Sequence, residues 1–304
     1  MLAGLALALA AGCASLGGER PLPDGAEAWS LLGRPLVPPA LPDSVRADRE
    51  ARLTEARAAY EADPDDPDAL IWLGRRTAYL GRYREAIAIF GEGLEKHPGD
   101  ARFLRHRGHR WITVRRFDEA IRDLSRAAFL IEGTEDTVEP DGLPNARGIP
   151  TSTMHFNVWY HLALAHYLKG DDDRALEAWR RTLGVSTNPD AQVATRYWLY
   201  LVLRRLGRDA EAAAVLEPVT AGMEVIENHA YHRLLLMFQG ERSPESLLEG
   251  GEDALQNATV GYGLGAWHRM NGREEEAERI FRGVISGPEW AAFGTIAAEA
   301  ELAR

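Results

Sequence analysis

Three pairs of histidines are spaced closely enough to do chemistry. His106 and His109 are three apart, as are His229 and His232, and this one-turn spacing can hold a divalent metal. His161 and His166 are five apart. The first pair is ringed by Arg105, Arg107 and Arg110, whose charges repel a cation. The second has only Glu227 as an acidic neighbour, and no HEXXH pattern accompanies it. "GYGLG" at 261 to 265 has glycines spaced like a nucleotide loop, but no strand precedes it. The acid runs Asp171-Asp172-Asp173 and Glu274-Glu275-Glu276 fall where helices begin and complement the helix dipole there. No nucleophile elbow or kinase-type set occurs. These residues predict no metal, no cofactor and no enzyme.

The densest polar chemistry lies elsewhere, in "LRHRGHRWITVRR", residues 104 to 116. Five arginines and two histidines share its thirteen positions. Arginine carries forked donors that fit carboxylates and phosphates. The 304-residue chain around it is acidic, with 35 Lys+Arg against 46 Asp+Glu and a formal net charge of −11. That balance argues against nucleic-acid binding, which needs a dominant basic field. A local basic surface for an acidic or C-terminal peptide segment is the reading that survives.

The elements that must position it are helical. Ala, Leu, Arg and Glu dominate, and no long alternating Val/Ile/Thr run suggests a sheet. A helix starting near Ala47 ends at Asp63-Pro64, where proline forbids continuation. A period then appears. "LIWLGRRTAYLGRYREAIAIFGEGLEKHP" supplies Leu70, Leu73, Gly74, Gly81, Ala86 and Phe90, and 34 residues later Leu104, Gly108, Ala120 and Leu124 repeat the pattern. The turn position runs Gly81, Arg115, Gly170, Gly207, Gly240 and Gly272, at spacings of 34, 55, 37, 33 and 32. The spacing of 55 is one period plus an insertion. Each unit reads as two amphipathic helices joined by a tight turn, with glycine where a helix ends left-handed.

These residues resemble the tetratricopeptide repeat from about 67 to 285, with a half-repeat before and a capping helix, "PEWAAFGTIAAEAELAR", after. The fifth unit is marginal, because its second helix is short and begins at Ser243-Pro244. The resemblance implies an all-α, right-handed α-solenoid of about six helix pairs with terminal capping helices, over residues 47–304. It also implies which positions line the concave face: Arg75, Tyr79, Arg102, Arg105, His109, Asn157, Tyr160, Tyr167, Tyr197, Arg204, Arg205, Tyr262 and Arg269. Asp68 and Glu227 are the acids at such positions. An acidic protein thus concentrates arginine and tyrosine along one groove; alternatively, the arginines pair with neighbouring acids and the tyrosines pack. Arg107 stands where the family wants leucine. An acidic, Pro-punctuated insertion spans 133–155, and whether it crosses the groove is open.

The N-terminus carries a separate signal. Cys13 is the one cysteine, so no intrachain disulfide and no Cys-based zinc cluster can form. Leu2 to Ala11 is an apolar run too brief to span a bilayer, and Ala11-Gly12 are small residues at a cleavage point. This resembles a bacterial lipoprotein signal peptide over 1–12. The resemblance implies acylation of Cys13 as the sole membrane contact, at the outer membrane of the cell envelope facing the periplasm. Residues 13–46, rich in proline and glycine, read as an extended tether. The functional expectation is a non-enzymatic scaffold that binds a protein or peptide. The alternative is a solute- or glycan-binding accessory subunit holding a small anionic ligand in the groove.

Overall fold

A computed structural model describes residues 20–247 and 257–304. The expected signal peptide and Cys13 lie outside the described residues. Thirteen α-helices form the array within them: α1 (Asp43–Ala62), α2 (Pro67–Tyr79), α3 (Tyr83–Lys96), α4 (Ala101–Thr113), α5 (Phe117–Leu130), α6 (Met154–Lys169), α7 (Asp172–Gly184), α8 (Pro189–Arg205), α9 (Asp209–Leu216), α10 (His229–Phe238), α11 (Ala258–Met270), α12 (Glu274–Ser286) and α13 (Phe293–Ala303). The fold is an all-α tetratricopeptide-type solenoid, as the period predicts.

Local chemistry fixes the helix starts. Asp66 accepts from the backbone of Asp68 and Ala69 ahead of Pro67 at the first helical position, and Asn188 does the same for Ala191 ahead of Pro189. Thr153 caps α6 and Asn257 caps α11. Helices pair as α2–α3, α4–α5, α6–α7, α8–α9 and α11–α12, and close approach within a pair needs small residues. A Cβ at Gly108 would stand 2.5 Å from Leu124 Cγ. Gly265 serves the same purpose inside α11, where it faces the Phe281 ring, while Gly263 lies against Leu234 of α10. In the marginal fifth unit α10 is followed by a 3₁₀ turn at Glu245–Leu247.

Every expected turn position is left-handed, and one of them is not glycine. Gly81, Gly170, Gly207, Gly240 and Gly272 have φ between 67° and 85°, and Arg115 has φ 64°. A side chain there costs roughly 1–3 kcal/mol, so surrounding contacts must hold it. The Arg115 guanidinium is buried and bonds Glu299 of α13 twice, at 2.9 and 3.1 Å. It also donates to the Trp290 carbonyl at 2.8 Å.

Two segments depart from their expectations. The described part of the 13–46 segment is no extended tether. Ala28–Trp29 and Pro35–Leu36 form a small antiparallel hairpin whose Ala28 and Leu36 are buried with Ile87, Val114 and Trp290. Trp290 Nε1 donates to the Val37 carbonyl at 2.8 Å, and α1 already begins at Asp43. Alternating apolar residues inside the Pro/Gly-rich composition supply that buried face. The C-terminal helix does more than cover the last repeat. Besides α11 and α12 it touches α6 and reaches the α4–α5 turn through Glu299. The insertion has one bridge, Val138 to Thr153, and its last two residues, Met154 and His155, belong to α6.

Candidate functional site

The first helices α2, α4, α6, α8 and α11 sit side by side and form the inner face of the array. Their predicted residues fall into two polar groups separated by an aromatic block. At the N-terminal end, Glu139 from the insertion enters the basic face. Its carboxylate lies 2.9 Å from Arg105 Nε and accepts from Asn157 Nδ2 at 3.0 Å. Arg75 donates to the Pro140 carbonyl at 2.8 Å while lying over Trp72, and Arg76 donates to the Gly142 carbonyl at 2.9 Å. Tyr79 contacts Arg75 through its hydroxyl at 3.4 Å. Arg102 turns outward to Asp100 and Asp68.

The histidines expected not to hold a metal are neutral here. Burial pushes His106, His109 and His161 well below the ordinary histidine range, and the neighbouring arginine charges push the same way. His106 accepts from Arg105 through Nδ1 at 2.9 Å, which leaves the proton on Nε2, facing Glu139. The His109 ring lies tilted against His161, with ring centroids 4.4 Å apart. Arg110 lies against His109 and Tyr83, and burial brings its guanidinium down to about 10. Among the described residues no group of three His, Cys, Asp or Glu side chains is gathered for a metal ion.

Two small cavities flank Glu139. One, of 120 Å³, is lined by Arg75, Tyr79, Arg105, His109, Arg110 and Glu139 among others. The other, of 180 Å³, opens towards Trp72, Arg102 and Met154 and shares Arg75, His106 and Glu139 with the first.

The middle of the row is closed. Tyr160 accepts from Trp198 Nε1 at 2.8 Å and meets the Tyr231 hydroxyl at 3.2 Å. Tyr197 is fully buried against Trp198, Tyr231 and Phe238. Burial pushes the Tyr160, Tyr167 and Tyr197 phenols well above their usual range. These tyrosines serve as core, because aromatic neighbours on α7, α8 and α10 surround them. They do not face a partner in this conformation.

At the C-terminal end the cation partner is Glu301 of α13. It receives Arg205, Arg269 at 2.6 Å, Arg304 at 3.2 Å and the Tyr262 hydroxyl at 3.3 Å. Tyr167 and Tyr262 share a 2.5 Å hydrogen bond, and Arg205 stacks over Tyr167 at 3.8 Å. Arg204 points away to Asp209 at 2.8 Å. The inner arginines are therefore neutralised largely by the chain's own glutamates. Arg107 in the leucine position is answered too: its head forks onto buried Asp123 at 2.7 and 2.8 Å.

Sequence reasoning missed Arg110, Glu299 and Glu301 as site residues and left open whether the acidic insertion that carries Glu139 crosses the groove. The signal for Glu299 and Glu301 was present, since two acids interrupt an otherwise apolar "FGTIAAEAELA". The signal for Arg115 was its place in the glycine series.

Comparison with known proteins agrees with this architecture. The tetratricopeptide repeat family model matches residues 157–184, the α6–α7 pair. No curated protein matches the chain. Among solved structures, a tetratricopeptide repeat protein from Parabacteroides merdae ATCC 43184 is similar at 17% identity and TM-score 0.51, covering 79% of this chain and 87% of that one. YrrB, described as a TPR protein with an unusual peptide-binding site, is similar at 15% identity and TM-score 0.45, covering 81% of this chain and 97% of that one. The likeness to the Parabacteroides merdae protein is one of fold. No catalytic family is indicated.

Proposed function

We propose that the chain is a non-enzymatic scaffold of the bacterial cell envelope that holds an acidic segment of a protein partner on its N-terminal inner face. Tetratricopeptide arrays in general mediate protein–protein interaction. The observation that carries the finer reading is the Glu139 carboxylate on Arg105 and Asn157, in a cavity also lined by Arg75, an acid supplied by a segment the repeat does not need. A partner's acid would take its place. The insertion is held by polar contacts rather than apolar packing: Arg75 and Arg76 bond its Pro140 and Gly142 carbonyls, Glu227 bonds Thr151, and Val138 and Leu143 are 60% and 56% exposed. Opening such a segment loses little buried apolar area. Glu301, on a packed helix and bonded to three arginines, offers no comparable exchange.

The test is fluorescence anisotropy with a labelled acidic decapeptide. Glu139→Gln should bind it about tenfold more tightly than the unaltered protein, and Arg105→Ala should bind it less tightly. Equal affinities across the three proteins would refute groove binding. The envelope placement rests on Cys13 after its apolar run, and no described helix is long and apolar enough to cross a membrane. Cys13→Ala should then move the protein from the membrane to the soluble fraction of a bacterial host; an unchanged membrane fraction would contradict acylated anchoring.

A further inference from the structure

Arg75, Arg105 and Arg110 converge from two helices on the 120 Å³ cavity, and Glu139 is the one carboxylate that lines it. Among the described residues three guanidinium groups and one carboxylate line it, so the lining of this largely buried place carries an excess of positive charge. His106 and His109 add no charge, since both are neutral. Asp141, two residues further along the insertion, feels the Arg75 charge but does not line the cavity. Buried positive charge in excess is costly, so a complementary anion gains a large share of its binding energy by relieving it. Arg105 and Arg110 both lie below the usual arginine range because of burial, as a surplus of charge also requires.

The form of the site selects the anion. A carboxylate is planar and carries one charge, so beside Glu139 it would leave part of that excess unanswered. Arg75 comes from α2 on one side and Arg105 and Arg110 from two turns of α4 on the other, and Tyr79 of α2 also lines the cavity. That arrangement fits a doubly charged, tetrahedral acceptor. At roughly 30 Å³ per water in the liquid, 120 Å³ is room for about four waters, which is enough for one such ion.

We infer that the cavity beside Glu139, between Arg75, Arg105 and Arg110, is a binding site for a phosphate group, free or carried on a peptide. The inference rests on the inner face of the first two helix pairs being the binding surface. It adds the chemical group which that surface selects.

The experiment titrates the full chain with inorganic phosphate at pH 8, in calorimetry and in thermal unfolding, against chloride at matched ionic strength. Phosphate should bind and raise the melting temperature where chloride does not. Arg110→Ala should weaken phosphate at least about tenfold, and Arg279→Ala, on an exposed surface, should leave it unchanged. Glu139→Gln should strengthen phosphate binding, a sign that loss of a merely structural contact would not give. It also keeps the test decisive if Arg110→Ala fails to fold. A phosphoserine peptide is run beside its unphosphorylated twin. Tighter binding than free phosphate marks a peptide-borne group, and weaker binding marks the free ion. No phosphate effect beyond chloride, or equal affinity in Glu139→Gln, overturns the inference. Capture of the acidic decapeptide in that case would leave the scaffold reading standing.

Discussion

Arg115 shows how one residue joins three parts of the chain. It occupies a left-handed turn that glycine fills in the other pairs, and its side chain forks onto Glu299. The Glu299 carboxylate also accepts from the Leu31 backbone at 3.3 Å, tying the N-terminal hairpin to the C-terminal helix. Both side chains are almost fully buried, so removing one strands the other. Glu299→Ala is expected to lower unfolding free energy by about 3–5 kcal/mol in urea titrations. Adding Arg115→Gly to it should recover part of that loss, because glycine relaxes the turn and removes the stranded cation.

The buried histidines give a second expectation at this scale. His106, His109 and His161 are neutral when folded and take up protons near 6.5 when unfolded. Below that pH the unfolded chain binds more protons, so stability is complete above about 6.5 and falls as the solution is acidified. Each of the three can contribute a slope of up to about 1.4 kcal/mol per pH unit. Urea midpoints at pH 7.5 and 5.5 measure the fall, and His161→Gln should flatten it. A stability that rises on acidification would contradict neutral burial.

Elements, by contrast, were largely legible in the sequence. The glycine series located every turn, and Asp66-Pro67 and Asn188-Pro189 marked helix starts, because these are local backbone requirements. A Cβ at Gly108 would press on Leu124, whereas one at Gly91 would meet only Arg107 Nη1, at 3.7 Å. Gly108→Ala should therefore cost about 1–3 kcal/mol. Gly91→Ala should be neutral or stabilise by up to about 1 kcal/mol, since alanine is the better helix former. Paired melting curves of the two variants decide it. What local signals could not give was the path of segments outside the period. The hairpin at 28–36 owes its place to Val114 and Trp290, distant in sequence, and the C-terminal helix owes its course to a single arginine at a turn.

For the whole molecule, the predicted groove row divides by depth. Tyr160, Tyr167, Tyr197 and Tyr262 are core, Arg205 and Arg269 are held by Glu301, and Arg105 and Asn157 hold Glu139 in a cavity also lined by Arg75. Position on a helix face followed from the tetratricopeptide resemblance. Occupancy of that face did not, because it depends on which acids the insertion and the last helix bring across. The acidic chain thus covers a basic inner surface with its own glutamates, and the most exposed of these covers is the 134–150 segment. The direct measurement is amide hydrogen exchange of that segment with and without a saturating acidic peptide. Lifting the segment away with Glu139 opens the Glu139–Ser152 and Met154–Thr137 backbone bonds of 3.2 and 2.8 Å, so exchange at these amides should speed up on binding. Exchange there that is unchanged or slower while the peptide is bound would contradict the account.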